Sequence, residues 1–76
     1  MRQLRVFQSA AKHGSFSKAA TELNLTAPAI SMQIKELEND LGMALFARIG
    51  RRVELTTAGE YFLVDVKKIA GTLRDA

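Results

Sequence analysis

Arg48, Arg51 and Arg52 stand within five residues of one another around Gly50, with Glu54 as the only nearby acid. A second basic stretch opens the chain, where Arg2, Arg5, Lys12 and Lys18 face Glu22 alone up to position 26. Between them, residues 27–42 are net acidic, with Lys35 against Glu36, Glu38 and Asp40. The formal net charge is +3 over 76 residues. Two cationic patches separated by one segment suit a polyanion that bridges both. Other chemistries lack their groups. The chain has no cysteine, so a disulfide scaffold, a thiolate zinc site and a thiol nucleophile are excluded. A single histidine cannot build a His-rich metal cluster. No glycine-rich loop cradles a phosphate, and Glu36, Glu38 and Asp40 are spaced for a solvated helix face rather than for acid–base work. No enzyme activity, metal or cofactor is expected.

The groups that could meet a polyanion need elements to hold them. Leu4, Phe7, Ala10 and Ala11 fall on one helical face, which predicts a first helix over about Arg2 to His13. Gly14 follows where a left-handed residue is wanted, and His13 suits the negative end of the helix dipole. Ser15 and Ser17 are two candidate caps for a second, short helix over about Lys18 to Leu23. Its Ala19, Ala20 and Leu23 face inward, and the small alanines let another helix approach. Asn24-Leu25-Thr26 is a tight break: Asn24 tolerates the left-handed region, Leu25 serves as an apolar plug and Thr26 caps the next helix. Pro28 sits in the first turn of that helix, where its missing N–H costs nothing. The third helix runs to about Leu41, and Gly42 stops it. Two helices joined by so short a turn describe a helix-turn-helix.

Beyond it, Leu45 to Ile49 and Val53 to Leu55 read as two short strands around the glycine-containing turn, a small basic hairpin or wing. From Thr56 or Thr57 the helical period returns, with Phe62, Val66, Ile69 and Leu73 spaced nearly as a coiled-coil seam. That stripe and Tyr61 are expected at a dimer interface, with intrachain core as the alternative for the stripe. Phe7, Phe16, Phe46 and Phe62 are expected in the core, and Arg48 is expected to anchor to an acid or the backbone.

Advancing about 100° per residue places Ile30, Ile34, Leu37 and Leu41 on one stripe of the third helix. Pro28, Met32, Lys35 and Asn39 lie opposite. The first two turns of that outer face hold no acid. Such a helix suits entry into a major groove by its N-terminus, which carries partial positive charge and free N–H groups. Ala27, Ala29 and Ser31 allow close approach to base edges. Ser31 can donate or accept, Lys35 can reach guanine or phosphate, and Met32 can pack on a thymine methyl. Ser15, Ser17 and Lys18 suit phosphate contacts from the start of the second helix, beside the capping roles of the serines. Gln33 lies near the core edge, placed to brace the turn or reach a phosphate.

An ordered set of short runs now stands out: Leu4-Arg5-Val6-Phe7, Gly14-Ser15-Phe16-Ser17-Lys18-Ala19-Ala20, Leu25-Thr26-Ala27-Pro28-Ala29-Ile30-Ser31-Met32-Gln33-Ile34, Leu45-Phe46-Ala47-Arg48 and Leu55-Thr56-Thr57-Ala58-Gly59. In this order and spacing the chain resembles the N-terminal domain of LysR-type transcriptional regulators. The Ser31-to-Lys35 run also resembles regulators of RuBisCO operons. The resemblance implies a mainly α fold: a winged helix-turn-helix of three helices and a two-stranded wing, then a long linker helix. It implies base reading by Ala27, Pro28, Ser31 and Met32, and a wing arginine, Arg51, in the adjacent minor groove. Ser15, Ser17, Lys18, Thr26 and Lys35 match positions suited to backbone contacts, with Arg52 beside Arg51 on the basic wing. Two positions depart from the family pattern. Ala27 stands where glutamine is common, and Met32 where arginine or glutamine is. Both remove hydrogen-bonding capacity, which shifts readout toward apolar contact, the wing and DNA shape.

The expected organisation is a DNA-binding domain over 1–56, with its helix-turn-helix at about 15–34 and wing at about 46–55, and a dimerisation helix over 57–76. Seventy-six residues leave room for one small domain, so an effector domain is expected to be absent. The resemblance implies double-stranded DNA with an interrupted dyad near a promoter as partner. It also implies a homodimer through the linker helix, a homotetramer for a full-length regulator, and a small-molecule co-inducer bound only by the missing domain. No apolar run is long enough to span a bilayer and no leader-like segment opens the chain, so a cytoplasmic setting is expected. The competing reading, a winged helix used for protein–protein assembly, shares the fold but has no need of a basic wing.

Overall fold

The computed structural model describes the backbone of residues 2–50 and 52–75, and the side chains of residues 3–50 and 52–68. Among these, α1 spans Arg2–His13, α2 Phe16–Leu23, α3 Ala27–Leu41 and α4 Thr57–Asp75. Strands β1 (Phe46–Ile49) and β2 (Arg52–Leu55) form an antiparallel pair with Phe46 opposite Leu55 and Arg48 opposite Val53. This is a winged helix-turn-helix followed by a fourth helix.

Capping chemistry sets the boundaries. Gly14 adopts φ +62° and donates its N–H to Ala10 at 2.9 Å, which closes α1. The Ser15 hydroxyl accepts from the Lys18 N–H at 3.2 Å, so α2 begins at Phe16, two residues before the position expected from the sequence. Ser17 is not a cap; its carbonyl accepts from the Thr21 hydroxyl. Asn24 takes φ 61°, and Leu25 donates its N–H to Ala20 at 2.8 Å. That is a Schellman closure, which satisfies the last carbonyls of α2 through the backbone. The expectation that Leu25 plugs the turn is corrected: its side chain is 36% exposed, and hydrogen bonds make the turn. Thr26 caps α3 by accepting from Ala29 N–H at 3.3 Å. Gly42, at φ 70°, ends α3, with Gly42 and Met43 both donating to the Glu38 carbonyl.

The core forms where α1, α2 and α3 cross and the start of α4 closes over them. Phe7, Ala10, Ala19, Ile30 and Leu45 are all 0% exposed, with Val6, Ala20, Ile34, Leu37 and Val66 beside them. Val6 and Ser9 widen the buried face of α1 beyond the stripe that Leu4, Phe7 and Ala10 mark. Four phenylalanines join the layers. Phe7 meets Phe46 at 5.5 Å and Phe62 at 5.1 Å, and Phe16 meets Phe46 edge-on at 5.6 Å. Tilted and edge-to-face contacts of this kind add to simple area burial. The chain therefore threads helix α1, the wing and α4 onto one aromatic file, as expected for these residues.

Two expectations about apolar stripes are corrected. Leu41 belongs to the α3 stripe by period but is 39% exposed, because the last turn of α3 runs past the elements that cover Leu37. Val66 is 3% exposed and packs in the core of its own chain, the alternative expected for that stripe, while Phe62 packs on Phe7 and stays half-buried. The side chains of Ile69 and Leu73 lie outside the described residues. Among the described residues, no helix is long and apolar enough to cross a membrane.

Candidate nucleic-acid interface

The wing is fixed to the helical body at both ends. Glu38, on α3, accepts from the Leu45 N–H at 2.7 Å and the Phe46 N–H at 3.2 Å through one carboxylate oxygen. The expectation of a solvated Glu38 is thereby corrected: it is half-buried and holds the start of the wing on the recognition helix. Val53, in β2, donates its N–H to the Gly14 carbonyl at 3.1 Å, which ties the wing to the α1–α2 turn. Thr56 donates its backbone N–H to Leu45 and its hydroxyl to Ala44, and its hydroxyl caps α4 by accepting from Gly59. Rigid attachment matters, because two groups that read one ligand must keep a constant separation.

Between α3 and the wing lies an open groove of about 400 Å³. Ser15, Ser17, Ala27, Pro28, Ser31 and Arg52 line it, together with Phe16, Arg48, Gly50 and Val53. None of these is acidic. Six of the residues singled out from the sequence thus converge on one concave surface, although they come from α2 and its cap, α3 and β2. Met32 stands on the neighbouring crest of α3 at 62% exposure, an apolar side chain held in water. Lys35 lines a smaller recess with Ser31 and Arg48, where Glu38 is the only acid among the described residues. Lys18 opens onto a second crevice beyond Ser15, shared with His13, Arg52 and Glu54. Thr26 is exposed at the α3 cap, while Ala29 is half-buried and does not line the groove. Arg51 lies outside the described residues. Tyr61 is 73% exposed on α4, with Val64 next to it at 50%.

Electrostatics sort these cations. Arg52 is bound to Glu54 at 3.0 Å along its own strand, both side chains exposed. A pair so open to water is weak and screened by salt. Arg48 has a different environment. Its guanidinium sits 5.9 Å above the Phe16 ring, and no carboxylate or backbone group holds it among the described residues. The expected anchoring of Arg48 to an acid or the backbone is corrected accordingly. It is also the groove residue that sequence reasoning passed over. The signal was the strand period of two: Arg48 follows Phe46 by two residues and so shares its inner, helix-facing side.

Away from the groove, Glu22 gathers α1 onto α2. Its carboxylate accepts from the Ser9 hydroxyl at 2.5 Å and from Lys12 at 3.1 Å, with His13 Nε2 at 3.4 Å. The Ser9 hydrogen bond first, and the Lys12 contact second, hold this carboxyl down from 4.5 to about 2. His13 Nε2 is buried there and makes no hydrogen bond among the described residues. Gln33 keeps its Oε1 buried and without a hydrogen-bond partner among the described residues. No group of three or more metal-ligating side chains occurs among them.

A model of the family described as "Bacterial regulatory helix-turn-helix protein, lysR family" matches residues 1–60. The RuBisCO operon transcriptional regulator of Allochromatium vinosum is 45% identical over 75 residues, 99% of this chain and 25% of that protein. The glycine cleavage system transcriptional activator of Escherichia coli strain K12 is 48% identical over 73 residues, 96% of this chain and 24% of that protein. The crystal structure of the CbnR_DBD–DNA complex superposes with a TM-score of 0.88 at 42% identity, covering 97% of this chain and 88% of that one. The chain spans about a quarter of the length of the curated relatives it matches.

Proposed function

The chain belongs to the lysR family of bacterial regulatory helix-turn-helix proteins, and from that premise we propose that it binds double-stranded DNA sequence-specifically as the reading head of a transcriptional regulator. One observation carries this reading: the groove between the outer face of α3 and the wing is rimmed by small residues, hydroxyls and arginines, and no acid lines it among the described residues. In this reading α3 enters the major groove by its capped N-terminus. Ser31 and Met32 address base edges there, and Ala27, Pro28 and Ala29 keep that end of the helix slim enough to approach. The wing turn carries Arg51 into the neighbouring minor groove, whose negative potential favours a guanidinium. Ser15, Ser17, Lys18, Thr26, Lys35 and Arg52 grip phosphates. A hydroxyl that accepts a capping bond still has a proton to donate, so Ser15 and Thr26 can do both.

Residues 1–56 then form the reading head and 57–76 the helix that pairs two copies, with Tyr61 on its exposed side. A homodimer on an interrupted dyad follows from two heads held at a set spacing. Tetramer formation and co-inducer binding belong, in this reading, to regulators of the relatives' length, of which this chain spans about a quarter. The activity is binding rather than catalysis, in the cytoplasm.

The test is selection of duplex sites by the protein, followed by footprinting. The expected result is a recurrent sequence protected in one major groove and the adjoining minor groove. A selected pool with no common sequence would reject the reading.

A further inference from the structure

Resting on the DNA-binding reading above, we propose that Arg48 seats the phosphodiester strand that separates the major groove from the minor groove, and so sets how deeply the duplex docks. A duplex that receives α3 in its major groove and the wing in the adjacent minor groove must pass one sugar–phosphate backbone between them. The space between them is the groove that Arg48 lines, together with Ser15, Ser17 and Ser31. Arg48 issues from the inner side of β1, opposite the buried Val53. Its guanidinium lies 5.9 Å over the Phe16 ring.

That stack orients the fork while leaving its N–H donors free, since no carboxylate or backbone oxygen takes them among the described residues. A planar, permanently charged fork fits two phosphate oxygens at once. Arg52 differs, because Glu54 already holds it at 3.0 Å. The wall beside Arg48 is the start of α2. The Ser15 hydroxyl caps that helix, and its positive end faces the same anion. Arg48 touches no base in this arrangement. Its contribution is the same for every sequence, and it places the readers on α3 at their working distance.

The experiment measures binding of the unaltered chain, Arg48→Gln and Arg48→Lys to two fluorescent duplexes of about two helical turns, one A·T-rich and one G·C-rich, across a salt series. Loss of one phosphate contact should lower the slope of log K against log salt by about 0.9. Arg48→Gln should therefore weaken both duplexes alike, by about tenfold or more at low salt, with that fall in slope. Arg48→Lys should keep most of the slope and lose part of the affinity. Melting temperatures of the three chains guard against a folding effect. If Arg48→Gln melts early, the slope of Arg48→Lys decides, and a slope that falls as far as in Arg48→Gln overturns the proposal. An unchanged slope in Arg48→Gln, or a loss confined to one duplex, also overturns it. If the unaltered chain itself shows no salt-dependent binding, the DNA-binding reading fails and takes this proposal with it.

Discussion

Gly59 offers the sharpest check on how the wing is locked to the body, because two well-known effects of one substitution have opposite signs there. Gly59 lies in the first turns of α4, and exchanging a helical glycine for alanine ordinarily stabilises by about 0.5–1 kcal/mol. Here a Cβ would stand 2.2 Å from the Leu45 carbonyl oxygen and 2.9 Å from Leu55 Cδ2, where ordinary contact begins at 3.4 Å. The oxygen cannot retreat freely. It accepts the Thr56 N–H at 2.9 Å, and the Leu45 N–H is held by Glu38 at 2.7 Å. Leu45 itself is completely buried. Relief requires α4 to move by about an ångström against a backbone fixed from two sides, an overpacking strain of about 1–3 kcal/mol or more. The clash outweighs the propensity gain. Gly59→Ala is thus expected to lower the melting temperature, by about 4–8 °C for each kcal/mol lost in a domain of this size. Thermal unfolding followed by far-ultraviolet circular dichroism reads the outcome. A variant that melts at the native temperature or above would show that α4 does not lie against Leu45, and the account of the wing's attachment would fall.

Other residues give further expectations. Glu38→Ala removes two hydrogen bonds to a charged acceptor, each worth about 1.5–3 kcal/mol at most; it should lower stability and speed amide exchange at Leu45 and Phe46, and unchanged exchange there would count against the anchor. Glu22→Gln should lower the melting temperature at neutral pH. The Glu22 carboxyl is depressed in the fold, so its stabilisation is complete above 4.5 and fades as pH falls toward about 2; the gap between the melting curves of the two proteins should shrink across that window, and a gap undiminished at pH 2 would refute the assignment. Val66→Ala should destabilise the chain by an amount independent of protein concentration, since Val66 packs in its own core; a concentration-dependent loss would return this residue to an interface. Replacement of Ser31 by Ala or Met32 by Gln should change the sequences recovered in a binding-site selection, and identical recovered sites would remove both from the readers.

What governs legibility here is whether a feature is local. Helix starts and stops depend on a cap and its neighbours three residues on, so Thr26, Asn24 and Gly42 announced their turns in the chain itself. Ser15 and Ser17 are both chemically fit to cap, and only the fold chose Ser15. The inner stripe Ile30, Ile34, Leu37 follows from helical period, yet the same period extends to Leu41, whose burial depends on what lies opposite.

The amino-acid order alone determined the elements, the acid-free outer face of α3 and the basic hairpin, because each arises from side chains a few positions apart. Tertiary structure decided which groups share a surface. It drew Glu38 out of a row of solvated acids to hold the wing, left Arg48 stacked on Phe16 without an ionic partner among the described residues, and turned Phe62 and Val66 inward. Those outcomes depend on contacts between residues separated by seven to more than fifty positions, and no periodicity within a helix or strand encodes which distant neighbour will arrive.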